Sequence, residues 1–183
     1  HLICITLGTG VGAGIISSNR LIQGSTSSAG ELGQTSIDYK GTPGKYNNTG
    51  AIEDYIGNRQ IAQYMHQRYN EQGQEKRIAD CSPKKLSALA DDGDPLAIEI
   101  WKEIAEKLAC ALANACWLFN PEAIIIGGGV SKAGKHLFTP LQKAIKTQLA
   151  TPFYSHLKIL PAHFGNNAGM IGAANISTDA LNA

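Results

Sequence analysis

Hydrophobic positions along this chain fall into short β-rich runs at its start and toward its end, and into three-four spaced helical faces between them. The run LICITL (2–7) predicts a strand, and a glycine-rich stretch follows it. GIISSNRLIQG then reads as two more short strands turning at Ser18-Asn19. From Ser25 to Thr49 the chain is rich in Gly, Ser, Thr and Asn with no sustained period, and a loop this long is usually functional or disordered. Helices dominate next. Asn58 is placed as the cap of one with Ile61, Ala62, Met65 and Tyr69 on one face, and Ser82-Pro83 starts another with Leu86 and Leu89 inward. Asp94-Pro95 opens the longest, whose apolar face runs through Ala97, Trp101, Ile104, Leu108, Leu112 and Phe119, and Asn120-Pro121 ends it. EAIIIGGGV (122–130) is a buried strand running into three glycines, and the next helix carries Leu137, Leu141, Ile145 and Leu149. LKILPAHFG (157–165) is the last strand and NNAGMIGAANI a closing helix. The predicted order is three strands, helices, then β, α, β, α, with no internal repeat.

Composition narrows the class without naming a chemistry. A chain of 183 residues suffices for one domain with a sizeable core. At 43% hydrophobic and 17% charged it reads as globular, and a formal net charge of +1 gives no electrostatic case for nucleic acid or an anionic membrane. No apolar run approaches the roughly 20 residues of a membrane span, and no signal peptide is evident. Cys4, Cys81, Cys110 and Cys116 show no paired spacing, so buried free thiols in a reducing cytoplasm are expected. The chain enters a core strand immediately after His1, which reads as a fragment lacking its upstream part.

Two glycine runs carry the candidate chemistry. Gly8, Gly10 and Ala13 satisfy a loose G-x-G-x-x-A pattern, but a dinucleotide fingerprint needs a helix after it, and here a β-branched stretch follows. No Gly-Lys-Ser/Thr makes a Walker loop. A glycine turn between antiparallel strands remains: its backbone N–H groups and the Thr9 hydroxyl can donate to phosphate, and the missing side chains let an anion approach. Gly127, Gly128 and Gly129 end a buried strand just before a helix, where open α/β sheets bind ligands. The first run alone favours a phosphate turn over a plain hairpin, and the second alone reads equally as close packing; two on one sheet strengthen the ligand reading.

LGTGVGAGII, AGELG, TGAIE, IIIGGGVS and GMIGAA, in that order over roughly residues 2–175, resemble the carboxy-terminal lobe of the ROK family, which groups repressors and sugar kinases in the actin–hexokinase–Hsp70 superfamily. The element order independently fits the ribonuclease-H-like lobe of that superfamily, an α/β fold with a mixed five-stranded sheet flanked by helices. The resemblance implies that Gly8, Thr9 and Gly10 bind phosphate, that Gly127, Gly128 and Gly129 contact adenosine, and that Glu31, Gln34 and Glu53 hold sugar hydroxyls. Carboxylates suit that task because they accept bidentate bonds from vicinal hydroxyls. Alone, Glu53 would read as a first-turn helix acid and Glu31 as a solvated loop charge; the surrounding motifs reverse this.

The sequence departs from the family at its zinc site. Gln34, Gly44, Tyr46 and Ala51 stand where most members carry one histidine and three cysteines, so no structural zinc is expected. Pro43, Tyr46 and the glycines are expected to hold the loop by turn chemistry and packing. The family's first phosphate loop and catalytic aspartate lie upstream of these motifs, so this chain alone is expected to be inactive. The resemblance implies an ATP- and Mg²⁺-dependent hexose kinase, glucokinase-like, cytoplasmic and homodimeric, without membrane or direct nucleic-acid contact by this lobe. The alternative is the effector domain of a sugar-sensing repressor.

Overall fold

The computed structural model describes residues 1–165, 168 and 170–172. β1 (Leu2–Leu7) and β2 (Val11–Ser17) form an antiparallel hairpin, and β3 (Arg20–Leu21) returns along β2. Ser18 and Asn19 both hold positive φ (50° and 61°), the two-residue turn whose twist matches flanking strands. Five helices or helical turns precede or follow the remaining strands as one covering layer: α1 (Glu53–Ile56), α2 (Asn58–Glu71), α3 (Pro83–Asp91), α4 (Pro95–Phe119) and α5 (Lys135–Gln148). β4 (Ala123–Gly127) lies between α4 and α5, and a short α6 (Thr151–Tyr154) leads to β5 (Lys158–Pro161). The sheet order is β3-β2-β1-β4-β5, with β1 parallel to β4 and β4 parallel to β5. The mixed five-stranded sheet is therefore the one expected.

Alternation decides which face of the sheet is covered. Ile3, Ile5 and Leu7 of β1 are buried, whereas Cys4 and Thr6 between them are exposed. Ile124 and Ile126 of β4 join the same buried cluster as Ile104, Leu108 and Leu112 of α4 and Leu137, Leu141 and Ile145 of α5. α2 is tied to α4 by Arg68, which bonds Glu103 at 2.5 and 2.6 Å and Glu99 at 3.3 Å.

Several expectations shift by a residue or a turn. Asn58 is the first helical residue and extended Gly57 the cap, its carbonyl accepting the Ile61 N–H at 2.9 Å, while the Asn58 N–H, which has no helical partner, is donated to the Gly8 carbonyl at 2.8 Å. Ala90 takes the buried position beside Leu86, leaving Leu89 half-buried. Phe119 is 38% exposed and Leu118 77%, so the apolar face of α4 outruns the core at its carboxyl end. A helix of 25 residues extends about 37 Å, well past the span of a six-residue strand. β5 covers four residues rather than nine, and the one-turn helices α1 and α6 carry no periodic signal. The closing helix read in NNAGMIGAANI lies largely outside the described residues. Cys81 and Cys116 are buried, and burial pushes the Cys116 thiol up to about 11; Cys110 is half-buried, and Cys4 is exposed, contrary to expectation, because it points to the uncovered face.

Caps followed by a proline at the first helical position start α3 and α4 as read. Ser82 accepts from the Lys85 N–H. Asp94 accepts from the Leu96 and Ala97 N–H groups at 2.9 and 3.2 Å and from the hydroxyl of buried Tyr69 at 2.7 Å. Burial alone would raise the Asp94 carboxyl; the Tyr69 hydroxyl and the two N–H groups outweigh it and hold it below the usual range. Asp94→Ala removes a cap and strands a buried hydroxyl, so urea denaturation should find about 2–4 kcal/mol lost. The carboxyl's folded pKa is depressed, so this stabilisation is complete above the unfolded value of about 4 and fades as pH falls through the folded value. The gap between wild type and Asp94→Asn should accordingly stay constant near neutrality and narrow only in acid.

Candidate functional site

The register of the central strands brings the glycine runs together. Thr6 of β1 pairs with Gly127 of β4, so the turn after β1 and the loop after β4 leave the sheet side by side. Gly128 holds φ of 88°, and a side chain there would strike the Leu7 carbonyl, so only glycine lets the two loops approach. The turn itself is tight: the Gly8 N–H donates to the Gly10 carbonyl at 3.0 Å, and its outer side rests on the start of α2 through Asn58.

A cleft of about 360 Å³ opens on this turn, lined by Thr6, Gly8, Thr9, Gly10, Val11, Gly12, Glu31, Glu53 and Gly128. Glu53 comes from the first turn of α1 and is half-buried. Its Oε2 accepts the Val11 N–H at 2.9 Å and its Oε1 accepts the Gln34 Nε2 at 3.3 Å. A Cβ on Gly10 would run into this carboxylate, so the glycine makes room for the acid. Glu31 reaches the same cleft with an exposed side chain. Asp54, next to Glu53, is pushed above the usual carboxylate range, chiefly by burial and then by the Glu53 charge.

The loop before α1 is closed by main-chain bonds. Ile52 N–H donates to Thr35 O (3.1 Å), Ile37 N–H to Gly50 O (2.8 Å), Gly50 N–H to Thr42 O (2.7 Å) and Gly44 N–H to Asn48 O (2.7 Å). Gly50 takes φ of 68° against the Asp38 carbonyl, so the glycine share of the expected turn chemistry is present. Tyr46 is 62% exposed and packs nothing in place; the aromatic that does so is Tyr55, whose hydroxyl accepts the Thr42 N–H at 3.1 Å. Among the described residues no group of three His, Cys, Asp or Glu side chains could hold a metal, and no helix is long and apolar enough to cross a membrane.

The second glycine run divides its roles. Gly127 is buried, and a Cβ on it would stand 3.1 Å from that of Ala162; it touches neither cleft. Gly128 lines the first cleft, and Gly129 lines a second of about 740 Å³ with Asn58, Arg59, Ser82, Lys84 and Lys132. These three cations were not anticipated, since they belong to three separate segments and no local motif unites them. Nor was Asn48, whose side-chain amide donates to the Gln34 main-chain oxygen at 3.0 Å.

The ROK family's sequence model matches residues 1–180. A glucokinase of Streptomyces coelicolor is 32% identical across 98% of the chain and 60% of its own length. The Escherichia coli transcriptional dual regulator NagC is 29% identical across 98% of the chain and 45% of its own. Among solved structures, a ROK family glucokinase from Streptomyces griseus in complex with glucose and AMPPNP superimposes with a TM-score of 0.87 at 32% identity, covering 96% of the chain and 59% of that protein. The chain thus spans about 60% of the glucokinases it matches.

A hydrogen bond to a charged acceptor contributes about 1.5–3 kcal/mol, or roughly tenfold or more in local opening. Glu53→Ala should therefore accelerate exchange of the Val11 amide proton by at least about tenfold. Gly10→Ala should do the same by displacing the carboxylate. Hydrogen exchange followed by NMR reads both.

Proposed function

The chain belongs to the ROK family, and on that premise we propose that residues 1–183 are the carboxy-terminal lobe of an ATP-dependent hexose kinase that phosphorylates glucose at its 6-hydroxyl. The observation that carries this reading is the convergence of Glu53, Glu31 and the glycine turn on one cleft, in a chain 32% identical to a glucokinase structure holding glucose and an ATP analogue. Glu53 and Glu31 bind sugar hydroxyls; Gln34, expected to do the same, lies outside the cleft lining and supports Glu53 instead; and the Gly8–Gly10 turn with the Thr9 hydroxyl donates to the phosphates. The adenosine lies along Gly128 and Gly129 toward the second cleft, where Arg59, Lys84 and Lys132 supply positive charge to a nucleotide.

The first cleft offers hydroxyls, main-chain groups and two carboxylates, with no three-residue metal cluster among the described residues. That donor set suits Mg²⁺ arriving on the triphosphate with several of its waters, rather than an ion caged by protein. Bound there, Mg²⁺ would neutralise phosphate charge. This chain's own contribution is to orient the sugar, cradle the phosphates and exclude water from the hydroxyl. The catalytic base comes from outside these residues, so 1–183 alone is inactive. The loop around Gly44, Tyr46 and Ala51 works without structural zinc. We further propose that the full protein is cytoplasmic and homodimeric; Trp117 and Leu118, 48% and 77% exposed, offer apolar surface for such a contact.

Relatedness to NagC over 98% of the chain supports a second reading, the effector domain of a sugar-sensing repressor. One assay separates the two. The full-length protein should release ADP from ATP-Mg²⁺ with one hexose of a panel. Glu53→Gln should lower kcat/KM about 100-fold or more, because charge-assisted bonds to the sugar are lost. A zinc-selective chelator in excess Mg²⁺ should leave the rate unchanged. No turnover on any hexose, with sugar still raising Tm, would replace the kinase by the sensor.

A further inference from the structure

We propose that Asn48 is a positioning residue for the sugar site, one that fixes through Gln34 which atoms of Glu53 remain free to accept a ligand. The proposal rests on the reading of Glu53 as a sugar ligand. Four contacts run in one direction. The Tyr46 N–H donates to Asn48 Oδ1 (3.4 Å), which turns the Asn48 amide so that Nδ2 faces Gln34. Nδ2 donates to the Gln34 main-chain oxygen (3.0 Å) and to its Oε1 (3.4 Å). With Oε1 occupied as an acceptor, Gln34 presents Nε2 to Glu53 Oε1 (3.3 Å). The Val11 N–H meets Glu53 Oε2 from the other side at 2.9 Å.

Each oxygen of the Glu53 carboxylate therefore holds one protein donor and keeps acceptor capacity, which matches a pair of vicinal hydroxyls. Reversing the Gln34 amide would set its oxygen against the carboxylate and swing the acid away from the cleft. The Asn48 side chain is not needed to close the loop. Its main-chain carbonyl already does so by accepting the Gly44 N–H at 2.7 Å. What the side chain adds is polarity, relayed from Tyr46 in the loop to a carboxylate in the cleft.

Asn48→Asp tests this because it keeps the shape and inverts the polarity: an acceptor at this position demands Nε2 of Gln34 and turns Oε1 onto Glu53. In the full-length protein, titration calorimetry with glucose should find Kd raised at least about tenfold, while KM for ATP stays within about twofold. In a Gln34→Ala background the same substitution should change glucose Kd less than about threefold, since the relay is already cut. An equal loss in both backgrounds, or no loss where Glu53→Gln abolishes binding, overturns the relay and leaves the sugar site standing. Unaltered glucose binding in Glu53→Gln, or none in the wild type, removes the reading of Glu53 and the proposal with it. If Asn48→Asp does not fold by circular dichroism, Asn48→Ala, which leaves the Gln34 amide unoriented, is judged by the same two comparisons.

Discussion

Parallel pairing of β1 with β4 is the contact on which the site depends. The two strands are separated by more than a hundred residues of chain, yet their register must be right to the residue, because Thr6 opposite Gly127 is what sets the glycine turn beside the glycine loop. The buried sets Ile3, Ile5, Leu7 and Ile124, Ile126 enforce it. Slipping β1 by one residue would turn Ile3, Ile5 and Leu7 to the uncovered face and bring Cys4 and Thr6 into the core. The same register drives Gly128 against the Leu7 carbonyl, so the closeness that builds the cleft is available only to a residue without a side chain. The contacts that fix the sheet and the residues that line the cleft thus meet at the end of one strand pair.

That pairing also explains what could be read from the chain before its structure. The β1–β2 hairpin, the Ser18-Asn19 turn and the proline-led starts at Pro83 and Pro95 are governed by neighbours within a few residues and match their local signals. The departures lie where a distant partner decides. Asn58 looks like a cap, but the helix starts one residue earlier, where Gly57 is extended and Asn58 is held against the distant Gly8 carbonyl. Phe119 keeps the helical period of α4 yet lies beyond the end of the core. Glu31 and Glu53, singled out by their motifs, both line the cleft, and Gln34 bonds Glu53 from outside that lining. Asn48 was not legible, because nothing in GKYNNTG distinguishes an amide that orients another side chain from one that merely turns the chain. Arg59, Lys84 and Lys132 were hidden for a related reason: a net charge of +1 averages over the surface and is silent about where its cations gather.

The loop between Thr35 and Ile52 shows how differently a polar network and a metal would hold the same geometry. A structural zinc ion contributes about 10–16 kcal/mol through a few short bonds, so a loop built on one is either formed or lost with its metal. Here the loop is closed by a series of hydrogen bonds at roughly 0.5–1.5 kcal/mol each, and no single one is decisive. The network gains its rigidity from direction as much as from number. Tyr46, Asn48, Gln34 and Glu53 are linked so that each group's role as donor or acceptor is set by the one before it.

A loop held this way has a property that a metal-clamped one lacks. Its individual bonds lie within reach of thermal opening, so the far end of the loop can loosen without unfolding the domain. Glu53, by contrast, is anchored on two independent elements, the loop through Gln34 and β2 through Val11. Loosening at Tyr46 weakens only the first anchor and leaves the second in the sheet. Ligand hydroxyls arriving at Glu53 would fill the acceptor capacity that both anchors leave open and so favour the state in which the relay is complete. The free energy needed for that bias is a few hydrogen bonds' worth, commensurate with what a small polar ligand supplies. The loop and the cleft are therefore coupled by chemistry modest enough to be tuned by single amide-to-acid substitutions.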